Sequence, residues 1–192
     1  HIHFTTTEIH KQRVIQLGED KANVHNFGAP GIDNIVNLRL LSLEELEKAL
    51  NFKFSSRNIL VTYHPVTLEK STSGEQFQNL LSALSSLKDT SIIFTKANAD
   101  TDGRIINEMI DSFVLSRPLK SASFTSLGQL KYLSTIKHVD AVVGNSSSGL
   151  IEVPSFKVGT INIGDRQKGR VRSDSVIDCE PTEKDITSAF KK

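Results

Sequence analysis

A doubly wound α/β domain with a parallel sheet is the fold that three features of this sequence predict. Short β-rich apolar runs alternate with amphipathic stretches from one end of the chain to the other. Several runs are apolar without interruption, as in Ile59-Leu60-Val61 and Ala141-Val142-Val143, which is how strands covered on both faces read. The 192 residues, 38% hydrophobic and 23% charged, suit one soluble domain of ordinary core content.

Strands are expected at residues 2–6, 23–27, 58–63, 91–95, 121–125, 140–144, 159–163 and 175–178. The first opens a short leading βα stretch. After the second, Gly28-Ala29-Pro30-Gly31-Ile32-Asp33 breaks the pattern and reads as a loop or hinge. Ser42-Leu43-Glu44-Glu45 has the form of a capping box, followed by a core-facing stripe of Leu43, Leu46 and Leu50. Further helices are expected over residues 76–87, 103–115 and 127–138, with Phe77, Leu80, Leu81 and Leu84 as one buried stripe. Strand and helix in alternation imply right-handed crossovers onto both faces of one sheet. Repeats and low-complexity tracts are absent.

Composition narrows the function. Lys+Arg at 23 against Asp+Glu at 22 leaves a net charge of +1, which argues against nucleic acid as a main partner. The single cysteine, Cys179, excludes an internal disulfide framework and a cysteine-rich metal site. No apolar run approaches the roughly 20 residues that cross a bilayer, and signal-peptide architecture is missing, so a cytoplasmic enzyme or binding module is expected. The chain opens on His1 and reads at once as a strand, as a piece of a longer protein would.

The strongest constellation runs from Val142 to Glu152: a buried strand, the small-residue turn Gly144-Asn145-Ser146-Ser147-Ser148, then a helix. The carboxyl end of a strand is where ligands bind in an open α/β sheet, and a helix N-terminus there suits a phosphate. Ser146 and Ser147 add hydroxyl donors, although a serine N-cap without a ligand fits the same residues. Glu152, one to two turns into that helix, can accept from ribose hydroxyls or stand in solvent. After the 159–163 strand come four cations in seven residues, Arg166, Lys168, Arg170 and Arg172, which suit a diphosphate or a solvated surface. His64 ends the third strand, and Pro65 keeps a helix from starting at once. A histidine there can donate to phosphate or act as acid or base. The other histidines read as surface residues. Asn98, in the loop after the fourth strand, is a turn residue or a contact to a sugar. No Walker loop and no clean Gly-x-Gly-x-x-Gly fingerprint appears, nor metal-ligand spacing of His and Cys.

Together residues 144–152, the 164–170 loop and Tyr63-His64-Pro65-Val66-Thr67 closely resemble the UDP-N-acetylglucosamine 2-epimerases. Residues 28–33 and 98–103 add to the match, which extends over essentially all 192 residues. The resemblance is best to the hydrolysing branch, which releases UDP and N-acetylmannosamine for sialic acid synthesis. It implies a Rossmann-like sheet forming one half of a GT-B-like two-domain enzyme. Residues 1–34 would be the end of the N-terminal domain and a hinge, and residues 35–192 the C-terminal nucleotide-binding domain. Carried over by motif, Ser146 and Ser147 would hold the diphosphate and Glu152 the ribose. His64 and Arg166 would contact the phosphates and support catalysis by helping UDP to leave. Asn98 would face the N-acetylhexosamine and the backbone around Leu127 the uracil. No cofactor or metal is implied, and a homodimer is.

The carboxylates that the family uses at the sugar belong to its N-terminal domain, and the chain stops at Lys192, before the family's terminal helix. The expectation is a fragment that folds without turnover. Three other readings stand beside the hydrolysing one: a non-hydrolysing epimerase, a GT-B glycosyltransferase donor domain, and a non-catalytic sugar-nucleotide sensor.

Overall fold

The structure, a computed structural model, describes residues 1–66, 72–98 and 103–192 in full and Thr101 and Asp102 by their backbone. It divides into two compact units, His1–Arg39 and Leu40–Lys192. In the first, strands β1 (His3–Thr5) and β2 (Val24–Asn26) pair in parallel across helix α1 (Glu8–Gln16). Helix α2 (Pro30–Asn37) follows. Here the expected loop at residues 28–33 holds only for Gly28 and Ala29, because Pro30 sits in the first turn and starts the helix. Proline's fixed φ suits that turn, and its missing N–H would go unpaired there anyway. Along the chain the two units meet between Arg39 and Leu40, just beyond this helix.

The second unit begins with α3 (Leu43–Leu50), whose capping box is formed. The Ser42 N–H donates to Glu45 Oε2 at 2.8 Å, and the Glu45 N–H donates to Ser42 Oγ at 3.2 Å. Leu46 and Leu50 are buried but Leu43 is 41% exposed, which corrects the three-leucine stripe. At N1 the residue lies just past the cap, one turn short of the packed face.

The sheet then builds outward. Strands β3 (Arg57–Thr62), β4 (Thr90–Thr95) and β5 (Ser121–Phe124) alternate with helices α4 (Ser73–Ser85) and α5 (Thr101–Ser116). Helix α6 (Gly128–His138) carries the chain back to the other side of β3. There β6 (Ala141–Gly144), β7 (Gly159–Ile163) and β8 (Val176–Cys179) complete the sheet, and α8 (Glu183–Ala189) covers it. All the expected strands are present. Helix α8 was not foreseen, and Thr182 caps it, accepting the Asp185 N–H at 3.1 Å.

The strand order is β5-β4-β3-β6-β7-β8, with every pair parallel. Counted within this sheet that is 3-2-1-4-5-6, the doubly wound order whose switch point lies between its first and fourth strands, here β3 and β6. Side-chain alternation sends Ile59, Val61 and Tyr63 into a core with Phe77, Leu80 and Leu84 of α4, all buried. Leu60, Ile93 and Val142 therefore face the opposite layer, where α3 and α6 pack together. His138, expected at the surface, is half-buried, and its Nε2 lies 3.0 Å from the Leu41 carbonyl. A side chain at the end of α6 reaches the segment leading into α3, which is why the imidazole is drawn in. No helix among the described residues is long and apolar enough to cross a membrane.

Candidate functional site

Crossovers on opposite sides of β3 leave a crevice beyond the carboxyl ends of β3 and β6. The chain turns sharply out of β6 because Gly144 has φ +136° and lies against β3: a Cβ there would sit 2.0 Å from the Thr62 carbonyl oxygen. Only glycine tolerates both the angle and the approach. The next residue, Asn145, is 1% exposed and joins three loops. Its N–H donates to the Thr62 carbonyl at 3.2 Å. Its side chain brackets His64, accepting the His64 N–H at 2.8 Å and donating Nδ2 to the His64 carbonyl at 2.8 Å. Its own carbonyl accepts from Arg166 Nη1 at 3.0 Å and from Gln167 Nε2 at 2.7 Å.

The bend over residues 145–148 is half open. Ser146 and Ser147 are partly exposed; Ser146 Oγ accepts the Ser148 N–H at 3.3 Å, and Ser147 makes no side-chain cap bond. The helix beyond the bend, α7 (Ser148–Ile151), is a single turn, and a 3-10 turn over Val153–Phe156 follows it. This corrects the reading of Glu152 as one to two turns inside a helix: it is the half-buried residue at the joint. Pro154, overlooked in the pattern, disfavours α-helix at Val153 and supplies no N–H to continue it. Gly149 packs on β7, where a Cβ would meet Thr160 Cγ2 at 2.7 Å, and its carbonyl accepts from Thr160 Oγ1 at 2.8 Å.

His64, Leu127, Ser146 and Glu152 line one cleft of about 420 Å³, together with Thr62, Thr95, Lys96, Tyr132 and Ser148. Leu127 is buried at the start of α6, where Gly128 takes φ +62° and donates its N–H to Ser126 Oγ at 3.2 Å. Asn98 is exposed, two residues beyond Lys96, and is not among the residues lining the cleft. Thr67 and the Ala99–Asp100 part of the Asn98 loop lie outside the described residues.

The four-cation loop is split. Arg166 reaches the bend, whereas Lys168, Arg170 and Arg172 line a roomier cleft of about 600 Å³ between β7, β8 and α8. There Lys168 pairs with Asp165 at 3.0 Å and Arg172 with Asp178. Asp165, Asp178, Glu180 and Asp185 offset the cations of that cleft. The structure therefore separates the four cations, with Arg166 at the bend and the other three at this second cleft.

Several groups at the site were not singled out in the sequence. Lys96, on the cleft wall, is held by Asp111 at 2.7 Å. Tyr132 stands beside Ser148, Thr62 and Glu152; burial pushes its phenol up from the ordinary range, opposed by the neighbouring Ser148 and Thr62 hydroxyls and reinforced by the Glu152 charge. It stays protonated at neutral pH. Asn145 and Gln167 carried only one signal, a polar residue directly after a buried strand or inside a charged loop.

The fold is a Rossmann-like sheet with a polar bend at its switch point, the place where open α/β sheets take ligands. All of residues 1–192 match the family model described as UDP-N-acetylglucosamine 2-epimerase, and the chain belongs to that family. It is 45% identical over 192 residues to a Campylobacter jejuni GDP/UDP-N,N'-diacetylbacillosamine 2-epimerase (hydrolyzing), covering 100% of this chain and 50% of that protein. It is 46% identical over 187 residues to the Escherichia coli polysialic acid biosynthesis protein P7, covering 95% of this chain and 46% of the relative. A solved structure of Staphylococcus aureus MnaA with UDP shares the fold at TM-score 0.71 and 15% identity, over 99% of this chain and 50% of that one. The chain thus spans about half the length of the relatives it matches, as one Rossmann-like half of a GT-B-like fold does.

Proposed function

We propose that the chain is the UDP-binding half of a hydrolysing 2-epimerase, which converts a UDP-N-acetylhexosamine and water to UDP and a free 2-acetamido sugar inverted at C2. One observation supports this most: the guanidinium of Arg166 and the 145–148 bend meet at the switch point, beside a cleft that His64 and Glu152 also line. In this reading Ser146 and Ser147 hold the diphosphate, Glu152 the ribose hydroxyls, the backbone around Leu127 the uracil, and Asn98 the acylamino sugar. Residues 1–34 are the end of the preceding domain and a hinge, and residues 35–192 are the nucleotide-binding domain. Homodimer formation and a cytoplasmic setting belong to the same reading by family resemblance.

The chemistry has two stages. A base on the other domain removes the C2 proton while the C1–O bond breaks, and its electron pair leaves on the β-phosphate of UDP. Water then adds across the resulting 2-acetamidoglucal, hydroxyl to C1 and proton to the opposite face of C2. His64 and Arg166 serve the first stage, because negative charge builds on the departing diphosphate and fixed donors stabilise it without reorganising.

UDP-N-acetylglucosamine, giving N-acetylmannosamine, is the substrate that the family description suggests. The name of the C. jejuni relative favours a second, UDP-N,N'-diacetylbacillosamine. The full-length protein, incubated with each in deuterated water and followed by NMR, is expected to release UDP and a free sugar carrying deuterium at C2. An intact epimerised nucleotide sugar would make it a non-hydrolysing enzyme, and unchanged substrate a binding module.

A further inference from the structure

Two buried polar side chains that the functional reading leaves unassigned tie the loops of the site into one piece. Asn145 reaches the loop after β3 through its amide, with two bonds of 2.8 Å to the His64 backbone. It reaches the loop after β7 through its carbonyl, which accepts Arg166 Nη1 at 3.0 Å and Gln167 Nε2 at 2.7 Å. We propose that Asn145 and Gln167 are positioning residues for leaving-group departure, setting the spacing between His64, the bend and Arg166.

Gln167 carries the stronger half of the argument. It is 3% exposed, and its Oε1 is buried with no hydrogen-bond partner among the described residues. An apolar side chain of similar size would remove that desolvation penalty, so stability alone disfavours glutamine at this position. What glutamine contributes is a donor on the Asn145 carbonyl. A carbonyl has two lone pairs. With Gln167 on one, the exposed guanidinium of Arg166 is directed to the other, and so to a fixed place at the bend. Asn145 performs the matching task for His64, taking over where the pairing of β3 with β6 ends at Thr62 and Gly144. Misplacing such groups by about 1 Å costs roughly 100-fold in rate.

The inference rests on the reading that the site binds UDP and expels it. The test compares wild type, Gln167→Leu and Asn145→Ala in the full-length protein, by steady-state kinetics on UDP-N-acetylglucosamine and UDP-N,N'-diacetylbacillosamine, UDP calorimetry and thermal unfolding. For Gln167→Leu we expect kcat lowered at least tenfold with KM within about threefold of wild type, UDP bound more weakly because a displaced Arg166 also grips the released diphosphate less well, and a Tm equal to or above wild type. Asn145→Ala should lower kcat about 100-fold while remaining folded. Gln167→Leu with wild-type kcat, or with kcat lost only in proportion to folded protein, overturns the positioning claim while UDP release by wild type stands. A wild-type protein that neither binds UDP nor releases it overturns the functional reading, and this inference with it.

Discussion

The side-chain amide of Asn145 pairs with the backbone of His64 as a neighbouring strand would, giving one bond and taking one, each of 2.8 Å. The main-chain ladder between β3 and β6 ends at Thr62 and Gly144. Beyond it the two chains must separate to open a crevice, and the amide carries the pairing further without closing that crevice. Asn107 repeats the device one strand along, accepting the Ala97 N–H at 2.9 Å and donating to the Ala97 carbonyl at 3.1 Å. The ends of two adjacent strands are thus held by side chains from elements that follow them, which makes a loop-built site rigid.

Gly144 is the position on which that separation depends. Gly144→Ala would place a methyl 2.0 Å from the Thr62 oxygen on a backbone of φ +136°. Overpacking and left-handed strain each contribute on the order of 1–3 kcal/mol, and together about 2–6 kcal/mol of lost stability is expected. Urea denaturation measures it directly. Since the displaced strand end carries His64 and Asn145, UDP affinity should fall as well. A variant as stable as wild type would mean that β3 and β6 can spread at no cost.

Among the loop cations, only Arg166 should matter to the nucleotide. Removing a charged hydrogen bond to phosphate costs about 1.5–3 kcal/mol, so Arg166→Ala should weaken UDP roughly 10- to 150-fold. Arg166→Lys should recover little, because an ammonium cannot reproduce the forked donor geometry. Arg170→Ala and Arg172→Ala, on the far cleft, should change UDP affinity less than twofold. Calorimetry on the four variants separates the positions, and equal losses at all of them would indicate a diffuse field in place of a contact.

The fold was legible in the sequence because strand periodicity and loop position carry it. Uninterrupted apolar runs such as Ile59–Leu60–Val61 and the capping box at Ser42 depend on neighbours only a few residues away. What was not legible depended on pairs distant along the chain. Arg166 and Arg172 look alike in sequence; one reaches Asn145, 21 residues back, and the other Asp178 on the next strand. Residues 28–33 misled for a different reason, since Pro and Gly mark both a loop and the first turn of a helix, and only Pro30 at that first turn decides. Glu152 reads as deep in a helix from the apolar residues around it, and it is Pro154, acting on the residue before it, that ends the helix at Ile151.

Acid should weaken the second unit partly through Glu47. Its carboxylate accepts Lys53 Nζ at 2.6 Å and the Phe54 N–H at 2.9 Å, and these bonds, the lysine's first, hold it below the usual carboxylate value of about 4.3. The folded state therefore binds this proton less readily than the unfolded chain. The stabilisation is present above the unfolded pKa and is lost as pH falls through the lower, folded one. Glu47→Gln keeps the shape and removes the charge. It should be less stable than wild type at neutral pH and converge with it as pH falls through the lowered, folded-state pKa of Glu47. Denaturation midpoints taken down the acid limb test this, and two parallel curves would remove Glu47 from the acid response.

The assignment of Glu152 to ribose can be isolated from its other neighbours. The carboxylate is half-buried at the end of α7 and close enough to Tyr132 to raise its phenol pKa, so any replacement disturbs local packing and charge. A loss of UDP affinity alone would not identify the contact. A cycle of two ligands and two proteins does, because the general disturbance cancels and only the coupling between hydroxyl and carboxylate survives. Wild type should bind UDP about tenfold or more tighter than 2'-deoxy-UDP or 3'-deoxy-UDP, in line with roughly 1.5–3 kcal/mol for a hydrogen bond to a charged group. In Glu152→Ala that preference should vanish while both ligands still bind through the diphosphate. If the mutant prefers UDP to its deoxy analogues as strongly as wild type does, the ribose is held elsewhere, and Glu152 serves only the packing of the bend.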